Sequence, residues 1–285
     1  MRQLIVGIDV GSSRTKSVVY EGSQIVALKT IGNGDVSNAA QSVLQMVLLA
    51  ADRKIEDVER VAISGSGGSR LVGDTLLGLP VARVDEIRAI GLGGLELSGK
   101  QRALVVSMGT GTAMVVASDK GRKIEHIGGT GVGGGTIEGL SRRILGVDKF
   151  EDVEEMANRG RASNVDLTVA DIVGGPVGIL PKDATASNFK KLNADNNEND
   201  VAAAIFNMVS EVIGVITVLA AKAYHFEEDV VLVGKLVQSK RILELVSAVT
   251  GMFHIKISVP TNGEYCVAIG AVKSMQDHTG LSTLS

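Results

Sequence analysis

GIDVGSSRTK, residues 7–16, carries a strand into an aspartate and then a turn of glycine and hydroxyl residues. SMGTGTAMV, residues 107–115, repeats the device. Setting Gly11 on Gly109, an offset of 98, superposes Ile8 on Val106, Val18 on Val116, and the pair Ser12 and Ser13 on Thr110 and Gly111. Around the first copy LIVGID, KSVVYEG and QIVALKTI read as three strands of a meander broken by Gly turns. Around the second, residues 103–125 read strand, Gly-Thr turn, strand, Gly turn, strand. Two such units in one chain imply a duplicated α/β domain, and the groove between two such halves is where a ligand binds.

Working outward, residues 35–53 place Val36, Ala39, Ala40, Val43, Leu44, Val47 and Leu48 at helical spacing, with Asp35 or Ser37 as N-cap. The strand VERVAISG, the turn GSGGS and the segment at residues 79–99 follow; this last predicts a short strand running into a helix that starts at Asp85 or Glu86. A glycine-dense segment at residues 128–135 leads into another helix, and FEDVEEMANRG predicts one closed by Gly160. Residues 193–200, NADNNEND, read as a solvated loop, and residues 201–226 as a nearly all-round apolar helix buried between layers or at a subunit interface. The strand DVVLVG, the helix SKRILELVSAV, the strand HIKISV and a helix from about Ala268 complete the chain, with the last dozen residues frayed. The domains expected are residues 1–100 and 101–285, the second with a helical insertion at about 137–200.

Composition narrows the ligand. The 285 residues are 45% hydrophobic and 21% charged, with Lys+Arg 29 against Asp+Glu 32, so the chain can bury a sizeable core and has no basic block for nucleic acid or an anionic membrane. The longest apolar runs, such as VIGVITVLAA at residues 212–221, are about half a bilayer's requirement. The start, MRQLIVGID, lacks the long apolar stretch of a secretory signal. One cysteine, Cys266, cannot form an intrachain disulfide, which points to a cytoplasmic home. A small solute is the expected partner.

The chemistry of the turns says which solute. Backbone N–H groups freed of side-chain bulk by Gly11 can meet phosphate oxygens; Ser12, Ser13 and Thr15 add hydroxyls, Lys16 a point charge, and Asp9 a hard oxygen for Mg2+, directly or through water. An ordinary hairpin with Asp9 capping backbone amides is the simpler alternative for this turn alone. The second turn offers Thr110 and Thr112 around Gly111, with Ser107 in the place of Asp9. One metal-binding carboxylate and two phosphate turns across a groove suit a nucleoside triphosphate. The glycine segment followed by a helix makes an anion site or a slot for a flat ring. It is neither a Walker A loop nor a dinucleotide fingerprint.

GIDVGSSRTK, SMGTGTAMV, GGTGVGGGTIEGL and DVVLVGKL, in this order, resemble the phosphate and adenosine segments of the acetate and sugar kinase, heat-shock-70 and actin superfamily. The third segment, with RVDEIRA, VDLTVADI, LPKDATASNF and the closing NGEYCVAIGAV, resembles the type II pantothenate kinases, and the likeness covers about residues 3 to 275. The resemblance implies duplicated actin-like, ribonuclease H-like domains: mixed sheets flanked by helices, an ATP cleft between them, and a cytoplasmic homodimer. It also implies an ATP- and Mg2+-dependent kinase that phosphorylates the primary hydroxyl of pantothenate at the start of coenzyme A biosynthesis.

Carried over by position, Asp9 would organise Mg2+. Gly11, Ser12, Ser13, Arg14, Thr15 and Lys16 would cradle phosphates with Gly109, Thr110, Gly111 and Thr112. Gly134, Gly135, Thr136, Ile137, Glu138, Phe150 and Gly234 would lie near the nucleotide, the Phe150 ring being available to pack on adenine. Glu86 falls at the catalytic carboxylate, with Thr110 and His126 beside the acceptor. Among rival carboxylates, Asp85 reads as the helix N-cap, and Glu125 and Glu138 as solvated or capping groups. Two departures stand out. His126 occupies the place of an arginine that meets the pantothenate carboxylate, and a mostly neutral imidazole cannot fork onto a carboxylate as guanidinium does. Lys235 and Leu236 follow Gly234 where small or hydroxyl residues are usual near adenosine. The alternatives are a kinase for pantetheine or an amino sugar, an activator ATPase of the 2-hydroxyacyl-CoA dehydratase type, and a nucleotide sensor without catalysis. A single cysteine per chain leaves the activators' two-cysteine iron–sulfur site incomplete.

Overall fold

The computed structural model describes residues 4–32, 35–68 and 73–281. Ser69 of the GSGGS turn, the Ser37 side chain and residues 282–285 lie outside that description. In chain order the elements are β1 (Leu4–Val10), β2 (Arg14–Glu21), β3 (Gln24–Gly32), α1 (Val36–Ala50), β4 (Val58–Ser64), β5 (Thr75–Leu76), β6 (Leu79–Arg83) and α2 (Glu86–Ser98). Then come β7 (Ala103–Met108), β8 (Thr112–Ser118), β9 (Lys123–Thr130), α3 (Gly134–Leu145), α4 (Phe150–Arg159), β10 (Leu167–Thr168), α5 (Val169–Val173) and β11 (Thr185–Ser187). The chain closes with α6 (Glu198–Tyr224), β12 (Val230–Val233), α7 (Lys240–Met252), β13 (Ile257–Ser258) and α8 (Cys266–Leu281).

The duplication is visible strand for strand. The first sheet has the order β3-β2-β1-β4-β6-β5 and the second β13-β12-β7-β8-β9. In each, an antiparallel meander is extended by two parallel strands on the far side of its first member, and β5 adds a short antiparallel edge to the first sheet. Apolar alternation explains the meanders, and β1, β7 and β12, buried at nearly every position, occupy the sheet interiors where both faces are covered.

The offset of 98 holds along β1 and β7 and fails beyond the turn. Val10 pairs with Thr15 in the first hairpin, whereas Met108 pairs with Thr112 in the second, whose turn is one residue shorter. The counterpart of Val18 is therefore Val115, not Val116: Val18 pairs with Gly7, and Val115 with Val105. A one-residue slip puts a side chain on the opposite face, so the distinction is physical. Val18 packs against α8 with Ala268, Ile269 and Val272, and Val115 against α2 with Ala89 and Ile90, whereas Val116 faces the outer core.

Helices α2 and α8 cross between the sheets, and their packing does not follow chain order. α2, from the first half, covers the second sheet, and α8, from the end of the second half, covers the first. A division at residue 100 thus separates the strands but not the helices. The crossing depends on the absence of side chains: a Cβ on Gly270 would overlap the Ala89 carbonyl, and one on Gly93 the Cys266 carbonyl.

The remaining helices complete the outer layers. Asp35 caps α1, accepting a hydrogen bond from the Asn38 N–H at 3.0 Å, and Ala40, Val43, Leu44 and Val47 bury against Val6, Ile8 and Val10. α6 starts three residues before the expected 201 and ends two before 226, because the Asn197 side chain caps it and draws the end of the expected loop into the helix, and it is long and apolar enough to cross a bilayer. It nevertheless packs inside the fold, 67% of its apolar window being buried, with Ile205, Phe206, Val209 and Ile213 against Val106 and Leu232. Between β9 and α6 lie α3, α4, α5 and the small β10–β11 pair. HIKISV contributes only the two residues of β13, and α8 extends to Leu281, so helix occupies part of the dozen residues expected to fray.

Candidate functional site

A cleft of about 380 Å3 opens between the two sheets at the ends of β1 and β7. Asp9, Gly11, Ser12, Ser13, Arg14, Lys16, Glu86, Gly109, Thr110, Gly111, Thr112, Gly134, Gly135, Glu138 and Gly234 all line it. The two hairpin turns meet there, with the Ser12 and Thr110 hydroxyls 2.6 Å apart.

Asp9 is 6% exposed. Burial pushes its carboxyl up, and Lys16, its cross-strand neighbour with Nζ 3.8 Å from Oδ2, opposes that rise. A buried carboxylate with one partner retains lone pairs for a hard cation. Among the described residues no group of three or more His, Cys, Asp or Glu side chains gathers, so a metal at Asp9 would take its other oxygens from phosphate and water. Beside Asp9 in register stands Ser64, buried, with a hydroxyl lacking any protein partner.

Glu86 is the first residue of α2, placed there because the Asp85 side chain accepts from the Arg88 N–H at 2.9 Å and caps the helix. It is half-buried. Desolvation raises its carboxyl above the ordinary glutamate range, and the charges of Asp9 and Asp85 raise it further. The cleft thus holds a carboxylate with enhanced basicity close to a second one.

The glycine segment acts differently from the anion site read from its sequence. The Gly134 N–H donates to the Gly109 carbonyl and the Gly135 N–H to the Thr110 carbonyl, each at 2.9 Å. The Thr136 and Ile137 N–H groups bond to the Gly133 carbonyl. The first turn of α3 is therefore satisfied internally and braces the second hairpin. A Cβ on Gly133 would overlap the Thr110 carbonyl and Gly111 Cα, which explains glycine there. Thr112 Oγ1 ties the same turn to the Val132 carbonyl at 2.9 Å.

Five expected site residues sit elsewhere. Thr15 faces the interior of β2, fully buried, and Ile137 belongs to the core. The Thr136 hydroxyl accepts from the Gly133 N–H and donates to the Gly131 carbonyl. Phe150 is 8% exposed, packs on Phe206 with ring centroids 5.4 Å apart, and lies under the Lys235 ammonium at 5.3 Å, so its ring is not free to stack on a base. His126 stands exposed on β9 opposite Val115, outside the cleft lining.

Lys235, noted in the sequence as a departure near adenosine, lines the cleft too, and further lining residues carry no sequence assignment: Ser66, Ile90, Ala113, Thr130, Glu264, Cys266 and Val267. The turn GSGGS and the segment NGEYCVAIGAV were the available signals for Ser66, Glu264 and Cys266. The buried Cys266 thiol is pushed up, first by desolvation and then by Asp9, and stays protonated.

Comparison with known proteins agrees with this architecture. The Fumble family model matches residues 101–271. A type II pantothenate kinase of Bacillus cereus (strain G9842) is 26% identical over 255 residues, covering 86% of this chain and 89% of the relative. One from Oceanobacillus iheyensis is 27% identical over 277 residues, covering 94% and 98%. Among solved structures, the activator of the 2-hydroxyisocaproyl-CoA dehydratase from Clostridium difficile with bound ADPNP superposes with a TM-score of 0.71 at 17% identity, over 99% of this chain and 97% of that one.

Proposed function

The chain belongs to the Fumble family, and from that premise we propose that it transfers the γ-phosphoryl group of ATP to the primary hydroxyl of pantothenate. Its fold is the duplicated actin-like fold, two mixed sheets flanked by helices. The relatives named as pantothenate kinases span nearly the whole chain. The observation that carries the reading is the convergence of Glu86, Asp9, Lys16 and both glycine-hydroxyl turns on one cleft.

In the proposed reaction the acceptor oxygen attacks the γ-phosphorus, the bond to the β-bridging oxygen breaks, and ADP leaves. Glu86 takes the hydroxyl proton, a role suited to a carboxyl whose affinity for protons is raised. Lys16 and the Ser12, Ser13 and Thr110 hydroxyls offset negative charge on the transferring group, whose transition state is loose and places charge on its outer oxygens. Mg2+ held at Asp9 would supply further neutralisation. A coupled ADP assay tests the reading: pantothenate should stimulate ADP formation in the wild type and not in Glu86→Gln, which should still bind ATP. ADP release indifferent to pantothenate, pantetheine and amino sugars alike would favour an ATPase that drives another protein.

One observation favours a second acceptor. Each of the three cations lining the cleft already faces a carboxylate: Arg14 with Glu151, Lys16 with Asp9, and Lys235 with Glu138. With His126 outside the lining, every lining cation among the described residues is engaged by a carboxylate, which suits a neutral acceptor such as pantetheine. Relative kcat/KM for the two acceptors decides between them. We also propose a homodimer joined through the exposed flank of α6, where Val215 and Leu219 are 41% and 62% exposed. Sedimentation of Leu219→Asp, expected to be monomeric, tests it.

A further inference from the structure

Asp9 has close neighbours on three sides. Lys16 faces Oδ2 at 3.8 Å. Gly65 adopts φ +92°, and a Cβ there would overlap Asp9 Oδ1 and the Val10 carbonyl, so the turn after β4 is pressed against the carboxylate. Hydrogen bonds fix that turn: the Gly67 N–H donates to the Val10 carbonyl at 2.8 Å, the Gly68 N–H to the Gly65 carbonyl at 2.9 Å, and Arg83 Nη1 to the Gly68 carbonyl at 2.9 Å. The third neighbour is Ser64, the last residue of β4, in parallel register with Asp9. Residues in register on adjacent strands share a face of the sheet about 4.8 Å apart. That face is the α8 side: a Cβ on Gly7, two residues before Asp9, would overlap the Ala268 carbonyl, and Ala62, two before Ser64, packs on Ala271 and Met275. Ser64 is 3% exposed and its hydroxyl has no protein partner. Such a group costs stability, and Ala62 shows that alanine is accommodated on this face. Ser17, Ser141 and Ser210 carry unpaired buried hydroxyls too, yet of these four Ser64 alone stands in register with a carboxylate of the cleft.

We propose that Ser64 is a positioning residue for Asp9, its hydroxyl donating to the carboxylate when Asp9 turns from Lys16 toward a divalent cation carried by the nucleotide. The inference rests on the nucleotide and metal reading of the cleft and not on which acceptor is used. One strand spacing lies within the combined reach of a serine hydroxyl and an aspartate carboxylate, each swinging between staggered rotamers over a fixed backbone. A hydrogen bond to one carboxylate oxygen fixes the carboxylate plane and leaves the other oxygen for the cation. Among the described residues no group of three or more potential ligands gathers, so a single protein carboxylate carries the contact and its aim matters. The unpaired hydroxyl is then a cost to the unliganded fold that is recovered on binding.

Calorimetric titration of the full chain with ADP, in Mg2+ and in EDTA, tests this together with thermal melts. In the wild type Mg2+ should strengthen ADP binding. In Ser64→Ala that gain should shrink about tenfold, the effect of one hydrogen bond to a charged group, while the affinity in EDTA stays unchanged. Ser64→Thr keeps the donor and should restore the gain. Without ligand Ser64→Ala should melt about 2–4 °C above the wild type, because an unpaired buried hydroxyl has been removed, and saturating Mg2+ and ADP should reduce that lead. Ser17→Ala is the control: it should melt higher with the Mg2+ gain intact. A gain that survives Ser64→Ala, an equal loss in Ser64→Thr, or an unliganded Ser64→Ala melting below the wild type overturns the proposal. Absence of any Mg2+ effect in the wild type removes the metal reading of Asp9 and this inference with it. ADP formation that ignores every acceptor, with the dependence on Ser64 intact, ends the kinase reading and leaves this one standing.

Discussion

Ser12 and Thr110, equivalent positions of the two hairpins and 98 residues apart, join their hydroxyls at 2.6 Å across the cleft. The duplicated unit has thus brought its two copies nose to nose at the point where a polyphosphate would be held. Each hydroxyl is the other's partner until phosphate oxygens replace it, so the two should not act independently. Ser12→Ala and Thr110→Ala should each weaken tripolyphosphate binding about three- to tenfold. The double variant should lose less than the product of the singles, a coupling of about 1 kcal/mol. Strict additivity in the titrations would show that the contact has no part in binding.

The hairpins, the start of α2 and the carboxylates of the cleft were legible because their signals are local. Period-two alternation with a glycine break marks β1–β2 and β7–β8, and Asp85 three residues ahead of Arg88 announces a capped helix. Features joining distant residues were not. Nothing near Lys235 in the chain says that its ammonium will lie between Glu138 and Phe150, and nothing in α8 says that it will cover the first sheet. The glycine segment shows the same limit: Gly134 and Gly135 line the cleft as their sequence suggests, but that their N–H groups brace the second hairpin's backbone is a pairing of distant residues that no local signal announces. The shorter second turn escaped because an ungapped offset cannot register a lost residue.

The α2–α8 crossing should be the most sensitive place for a single methyl group. Gly270→Ala must push the two helices apart at the Ala89 carbonyl, at a cost of about 1–3 kcal/mol and a Tm lower by several degrees. Gly139 provides the control. It is exposed on α3 with open space at its Cβ position, so Gly139→Ala should raise stability by about 0.5–1 kcal/mol through helix propensity. Thermal melts in which both variants moved together would refute the close approach of α2 and α8.

Glu86→Gln should trade activity for stability. Loss of a positioned base lowers acceptor-dependent turnover by about 10²–10⁴-fold. The stability effect has the opposite sign. Burial first, then Asp9 and Asp85, raises the Glu86 carboxyl, so the folded chain binds this proton more tightly than the unfolded one. Stability from this group is therefore full below the ordinary glutamate value and declines as pH rises through the folded value. Glutamine avoids that decline. At pH 7 the variant should melt above the wild type, and the gap should narrow on acidification; a variant less stable at pH 7 would contradict the burial of a charged Glu86.

Asp85→Asn separates the charge of the cap from its geometry. Asparagine caps a helix about as well as aspartate, so α2 and the position of Glu86 should survive, while one of the two negative charges raising the Glu86 carboxyl is removed. A base must be ionised to work, so activity falls as pH drops through the Glu86 value. That limb of the kcat/KM profile should move to lower pH in the variant, with the plateau nearly intact. Asp85→Ala should show the same displacement together with a loss of about 1 kcal/mol from the missing cap. A limb that stays in place in both variants would mean that Glu86 is not the group whose ionisation controls the reaction.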